Sequence, residues 1–277
     1  DIALFAGGSI SKDFAPHAVK AGAVVIDNSS AFRMDPEVPL VVPEVNPQAI
    51  LKHKGIIANP NCSTIIMVMA LKPIYDLAKI KRVIVSTYQA VSGAGKEGID
   101  ELDAQVRDHS EGREMTANIL PSASAEKHYP IAFNLIPQID VFCDNLYTKE
   151  EMKMVNETKK IMEDYEMRIT ATTIRVPVYR SHSESVNIEL EKEVDLGAMR
   201  EALAKFPGVT VQDDPSKQEY PMPLYTSEKD DVYVGRLRRD ESCEKSYNIW
   251  VVGDQIRKGA ALNTLQIAET MIKNGWI

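Results

Sequence analysis

Residues 1–61 alternate short apolar runs with turn residues. Positions 2–6 and 23–26 predict two buried strands, with a helix around 13–21 between them. Positions 40–42 form a third short run and 56–58 a fourth, which Asn59-Pro60-Asn61 brings to an end. From Cys62 the pattern changes. Positions 62–77 are apolar on nearly every side, which predicts a buried helix. Positions 83–91 are rich in β-branched residues and predict a strand, and 96–109 predict a helix. Residues 110–145, interrupted by Pro121, Pro130 and Pro137, predict a long irregular excursion. A charged amphipathic helix is expected over 150–165. Beyond it strands dominate, at 169–179, 185–190, 209–212, 232–237 and 247–252, with one helix at 196–206 and a last one at 259–272.

Strands alternating with helices predict a parallel sheet. The expected fold class is therefore α/β: part of a Rossmann-like nucleotide-binding domain, joined to an α+β domain with a mixed sheet. The expected boundaries are 1–61 with 254–277 for the first, and 62–253 for the second, the catalytic and dimerisation domain. The chain does not begin with Met, and its first residues read as a strand already under way, so a preceding segment is expected.

Composition narrows the function. With 277 residues and a net charge of −8, the chain lacks the basic balance that phosphate backbones demand, so no nucleic-acid partner is expected. No apolar run reaches the roughly 18 residues of a membrane span. The three cysteines, Cys62, Cys143 and Cys243, are far apart and make no paired spacing, which disfavours a zinc site or a disulfide framework and fits a reducing, cytoplasmic setting. No metal is expected.

Gly93-Ala94-Gly95-Lys96-Glu97-Gly98 spells G-x-G-x-x-G. The stretch that follows the next helix is polar and holds prolines, so the parallel strand of a dinucleotide fingerprint is missing. The motif reads as a flexible turn, or as a place where bare backbone at Ser92 and Gly93 approaches a cofactor held by another domain. Cys62 opens the apolar helix, where the positive end of the helix dipole favours thiolate; the alternative is a small buried residue. A cysteine nucleophile wants a base. His182 follows a predicted strand end among Arg180, Ser181 and Ser183, neighbours that predict an exposed position. Arg33, Lys153 and Arg175 are cations beside these elements, and Lys153 lies three residues after Glu150 on one helix face, able to act with it or simply to pair.

Asn59-Pro60-Asn61-Cys62-Ser63-Thr64 resembles the active-site motif of aspartate-semialdehyde dehydrogenases, and the stretch from Ser86 through Gln89 to Gly95 resembles the next one. Asn28 to Arg33, Glu150-x-x-Lys153, Arg175-Val176-Pro177-Val178 with His182, and Gln255 through Gly259 to Asn263 complete the set in family order. The likeness covers essentially the whole chain and is similar to the branch found in Gram-positive bacteria. N-acetyl-glutamyl-phosphate reductase and glyceraldehyde-3-phosphate dehydrogenase share the chemistry but place their cysteine in a different context. A non-catalytic remnant is the reading from another class, opposed by the intact Cys62, Gln89, Arg175 and His182.

The resemblance implies roles. Cys62 attacks the aldehyde and carries the acyl-thioester, with His182 as general acid/base. Gln89 and Arg175 bind the substrate, Arg175 through its carboxylate, and Glu150 supports the pocket. Arg33 and Lys153 hold phosphate. Ser92, Gly93 and Asn263 contact NADP, with Gly7 and Gly8 as further cofactor candidates. The implied reaction interconverts aspartate semialdehyde and aspartyl phosphate, with inorganic phosphate as co-substrate, in a homodimer or homotetramer. It also implies that a strand, Gly-rich turn and helix precede Asp1, and that residues 1–277 alone are catalytically silent without that cofactor cradle.

Overall fold

The computed structural model describes residues 1–277, the side chain of Ser9 aside. β1 (Ile2–Phe5), α1 (Ser11–Lys20), β2 (Val24–Asp27) and β3 (Ile56–Ala58) open the chain, and the three strands pair in parallel in the order β1-β2-β3. The run at 40–42 is buried, as its apolarity demands, but makes only a single bridge, Leu40 to Ala58. Pro39 and Pro43 flank it and lack the N–H groups that a ladder needs. β1 is less buried than expected. It is the edge strand, and Leu4 remains 49% exposed.

The second sheet takes its strands from the rest of the chain. After α2 (Cys62–Leu77) come β4 (Ile80–Gln89), α3 (Lys96–Ser110), α4 (Lys149–Ile161), β5 (Arg168–Arg175) and β6 (His182–Leu190). Next are α5 (Leu196–Lys205), β7 (Val209–Val211), the single turn α6 (Pro223–Thr226), β8 (Val232–Arg239), β9 (Ser246–Gly253) and α7 (Leu262–Asn274). The strands order as β5-β4-β6-β9-β8-β7. β4 runs parallel to β5 and antiparallel to β6, so the sheet is mixed. The expected class, α/β with a Rossmann-like part and a mixed-sheet part, is what the chain adopts.

α2 is apolar all round because it is covered all round. Every residue from Ser63 to Leu71 is buried, and the helix packs against α4, α5 and the face of the second sheet. Each such aliphatic side chain stabilises the fold by about 1.5–3 kcal/mol. The same packing fixes where the helix begins. Asn61 caps that start, its Oδ1 accepting from Thr64 N at 3.2 Å. At Gly253 the sheet meets the helix so closely that a Cβ would lie 3.0 Å from Ile66 Cγ1.

Three boundaries differ from expectation. The strand expected over 169–179 stops at Arg175, because Pro177 cannot continue a ladder. β6 starts at His182, three residues earlier than expected. The last helix begins as a π-helical turn, Arg257–Ala261, before becoming α7. The excursion after α3 is irregular, as predicted, yet Leu120, Ile131 and Ile136 pack with Val91 and Leu102 in a small core of their own.

Candidate active site

Strand register assembles the site. Gln89 on β4 pairs with Arg175 on β5, and His182 on β6 pairs with Gly253 on β9. Tyr88 pairs with Ser183, so Gln89 and His182 lie side by side across β4 and β6. Side chains alternate between faces along a strand. The buried face turned toward α2 therefore carries a polar row, Arg175, Gln89 and His182, at one end of the sheet. One step further in stand Thr173, Thr87 and Glu184, and a step beyond that the row is Ala171, Val85 and Val186. The face passes from charged to aliphatic in three rungs. Cys62, the first residue of α2, lines the same cavity as the polar row, an opening of about 570 Å³.

His182 is buried completely, not exposed as its neighbours predicted. The polar run Arg180 to Ser183 looks like a loop, but strand alternation turns His182 and Glu184 inward and Ser185 outward. Ala90 N–H donates to His182 Nδ1 at 3.0 Å. An Nδ1 that accepts carries no hydrogen, so in the neutral ring the proton sits on Nε2. Nε2 lies 3.4 Å from the Gln89 amide nitrogen. Burial, and then the Arg175 guanidinium, hold the His182 pKa well below 6.5, so the ring is neutral.

Cys62 departs from the thiolate expectation in this state. Burial pushes its thiol up to about 12, with Glu150 adding to the rise and Arg33, the Ser63 N–H and Arg175 opposing it. The helix start is present, but withdrawal from water and a nearby carboxylate outweigh it. The thiol rests protonated and must lose its proton as it reacts.

One carboxylate organises the wall facing the row. Glu150 Oε1 accepts from Asn61 Nδ2 at 2.9 Å and from Gln89 Nε2 at 3.2 Å, and Oε2 takes Lys153 Nζ at 3.1 Å. Burial alone would raise the Glu150 pKa, but Lys153 and these donors outweigh it and the group lies below its usual range. Thr87 Oγ1 donates to Gln89 Oε1 at 2.9 Å, which fixes the way the amide points. Lys153 also meets Asp140 at 3.0 Å, so it pairs as well as facing the cavity. Arg33 Nε donates to Asn59 O at 2.9 Å and Nη2 to Asn28 O at 3.1 Å, and Nη1 lies 3.4 Å from Glu157. Glu157 in turn accepts from Asn61 N at 2.6 Å.

Arg175 differs from both. It is 4% exposed, Nη1 donates to Ala90 O at 2.6 Å, and Nε has no partner. Among the described residues it joins no ion pair. Burial lowers its pKa, Glu150 opposes that from nearby, and a buried guanidinium in no ion pair keeps donors free for an anion.

Ser92 and Gly93 line the cavity beside the row. A Cβ on Gly93 would stand 2.8 Å from Arg175 Nη1 and 3.3 Å from His182 Cε1, so only glycine leaves this floor open. Gly98 lets α3 pack onto the turn, where a Cβ would meet Val91 O at 2.5 Å. The G-x-G-x-x-G run is thus a packing turn, and α3 leads into irregular chain rather than directly into a second strand.

Asn263 is wholly buried, with Nδ2 donating to Val41 O and Asn59 Oδ1 and with Oδ1 accepting from Lys258, and it is not among the residues that line this cavity. Gly7 and Gly8 follow β1 and are exposed, and neither lines this cavity, although β1 ends beside Asn28, which does. Sequence reading missed Gln255, which does line it. Its Oε1 accepts from Ser181 N at 2.9 Å and its amide donates to Ser92 Oγ, clasping the turn before His182 to the cavity floor. Asn61 and Glu157 were missed as well. The Asn-Pro-Asn turn signalled the end of a strand, but nothing local signalled a carboxylate 96 positions away.

Residues 71–258 match the semialdehyde dehydrogenase dimerisation domain, and residues 1–53 match the semialdehyde dehydrogenase NAD binding domain. The chain is 57% identical to the aspartate-semialdehyde dehydrogenase of Aquifex aeolicus, over 100% of this chain and 81% of the relative. It is 54% identical to the Bacillus subtilis enzyme, over 99% and 80%. A crystal structure of aspartate semialdehyde dehydrogenase II from Vibrio cholerae, complexed with ASA, superposes with a TM-score of 0.92 at 47% identity, covering 98% of this chain and 79% of that one.

Proposed function

The chain belongs to the aspartate-semialdehyde dehydrogenase family, and from that premise we propose that it interconverts L-aspartate 4-semialdehyde and L-4-aspartyl phosphate through an acyl-thioester on Cys62, with NADP and inorganic phosphate. The observation that carries this reading is the row Arg175, Gln89 and His182 facing Cys62 across one cavity. The enzyme acts in the cytoplasm as a homodimer or homotetramer, in the pathways to lysine, methionine and threonine.

The Cys62 sulfur forms a bond to the aldehyde carbon, giving a thiohemiacetal. The hydroxyl of this adduct carries the proton that the thiol has lost. His182, proposed as the acid/base group, presents its Nε2–H to the reacting oxygen. Gln89, fixed by Thr87 and Glu150, orients the same carbon for attack. Arg175 takes the substrate carboxylate. Its buried, unpaired guanidinium suits that anion, and its bond to Ala90 O sets the plane of the fork.

The nicotinamide side of the cofactor fits at Ser92 and Gly93, where the missing Cβ leaves flat backbone beside the row. When bound, NADP would supply the hydride acceptor that turns the adduct into a thioester, the proton of the adduct hydroxyl leaving to solvent through the cavity mouth. Phosphate, held by Arg33 and Lys153, then attacks the acyl carbon; the C–S bond breaks and the Cys62 sulfur takes up the proton that phosphate loses, restoring the resting thiol. The test is phosphate-dependent reduction of NADP by the intact enzyme, cofactor cradle included, with aspartate semialdehyde. Activity with N-acetyl-glutamate semialdehyde instead would overturn the substrate assignment, and none with either would overturn the catalytic reading.

A further inference from the structure

Lys258, the second residue of the π-helical turn Arg257–Ala261, is completely buried. A buried ammonium is costly unless it is paired and its donors are satisfied. Lys258 Nζ donates to Glu44 at 2.5 Å, to Gln266 Oε1 at 2.7 Å and to Asn263 Oδ1 at 2.9 Å. All three of its hydrogens have acceptors. Glu44 also receives Gln266 Nε2 at 3.0 Å, so the carboxylate is shared.

Two lines run from this ammonium to the cysteine. The next residue, Gly259, faces it directly: a Cβ there would lie 3.0 Å from Cys62 Cβ and 3.3 Å from Cys62 Cα. Asn263 passes the contact on, its Nδ2 donating to Asn59 Oδ1 at 2.7 Å, and Asn59 starts the turn that ends in Cys62. One side chain thus braces the nucleophile from the front through Gly259 and from behind through Asn59. π-Helical turns are rare and concentrate at functional sites. Here the turn puts a glycine, rather than a residue with a side chain, against the sulfur-bearing carbon.

We propose that Lys258 is a positioning residue for Cys62, acting through the π-helical turn and through Asn263. The inference rests on the reading of Cys62 as nucleophile. An ammonium suits the task because its three hydrogens fix three acceptors, one from the segment after β2 and two from α7. A methionine of similar length would fill the space and direct none of them.

The test uses Lys258→Met and Gly259→Ala in the intact enzyme. Alkylation of Cys62 by iodoacetamide is followed across pH by peptide mass spectrometry, with exposed Cys243 as internal reference. Turnover and both Michaelis constants are measured beside it. In each variant turnover should fall roughly ten- to a hundredfold, as a displaced reacting group does. The alkylation rate of Cys62 should change by about tenfold with a shifted pH midpoint, while Cys243 and the phosphate Michaelis constant stay within about twofold. A folded Lys258→Met whose Cys62 alkylates and turns over as in the parent overturns the proposal. Should Lys258→Met fail to fold, Gly259→Ala decides, and parental alkylation and turnover in it are the overturning result. Failure of the underlying reading is separate: it would appear as turnover surviving in Cys62→Ala, while the alkylation measurement would still report on Lys258.

Discussion

The strands of the parallel sheet are three or four residues long, whereas β5, β4 and β6 run for eight, ten and nine. The short sheet contributes to the site only through the turns beyond its strand ends: Asn28 and Arg33 after β2, and Asn59 to Cys62 after β3. The long sheet contributes the strand residues themselves, held in register over several rungs before the site is reached. Side chains on such elements are placed more tightly than side chains on loops. On the proposed reading the long sheet and the helix resting on it hold the reacting groups and the carboxylate-binding Arg175, while phosphate is held by Arg33 from a turn and Lys153 from α4.

The severest way to break that division is at the nucleophile. Cys62→Ala should abolish turnover and leave the fold intact, since one sulfur at a helix start carries little of the packing; steady-state assays and circular dichroism check it. Substantial remaining activity would move the chemistry elsewhere. His182→Asn should lower turnover by roughly 10²–10⁴, the usual range for a lost acid/base group, with a smaller effect on the Michaelis constant for the aldehyde. A collapse of affinity with turnover preserved would make His182 a binding residue and blur the contrast.

The cations sharpen it. Arg175→Ala, in the row, should mainly raise the Michaelis constant for aspartate semialdehyde. Arg33→Ala and Lys153→Ala should mainly raise that for phosphate. Arg33→Ala should also cost stability, on the order of 3–5 kcal/mol, because it strands Glu157, whose side chain is 1% exposed. Equal effects of all three on both substrates would reject the split.

The smallest effect concerns Glu184, in the second rung. Both its oxygens lack partners, and burial holds its pKa well above 4.5. The folded form keeps a proton that the unfolded chain gives up near 4.5, so this group's contribution falls as pH rises above that value. Glu184→Gln should therefore gain in melting temperature over the parent as pH goes from about 4 to about 8. His182 acts in the opposite sense, since burial depresses its pKa and the native state loses stability as pH falls below 6.5. A Glu184→Gln difference that stays flat with pH would show that the carboxyl finds a partner.

Much of this was legible in the sequence, for local reasons. The buried helix from Cys62 was readable because it is apolar on every side, and its start because Asn-Pro-Asn stops the strand before it; the cap made by Asn61 came from the structure. The residues of the row were named through the family likeness, but their adjacency was not readable from local pattern. Gln89, Arg175 and His182 become neighbours only through register, and register is a long-range property. His182 looked exposed because Arg180, Ser181 and Ser183 are polar, and only the strand beginning at His182 turns it inward. Gln255 had no signal of its own, because it reaches the cavity only through partners far away in the chain, Ser181 and Ser92.

Asn61 and Gln89 hang from the same oxygen of Glu150. One caps the helix that bears the sulfur, and the other, on the proposed mechanism, orients the carbon the sulfur must reach. If α4 drifts, both anchors drift together, and the gap between attacker and target changes less than either position does. The arrangement rejects common-mode error. It needs no greater stiffness than the rest of the fold, because the quantity that matters to the reaction is a difference, and a shared reference point removes the thermal noise that both ends have in common.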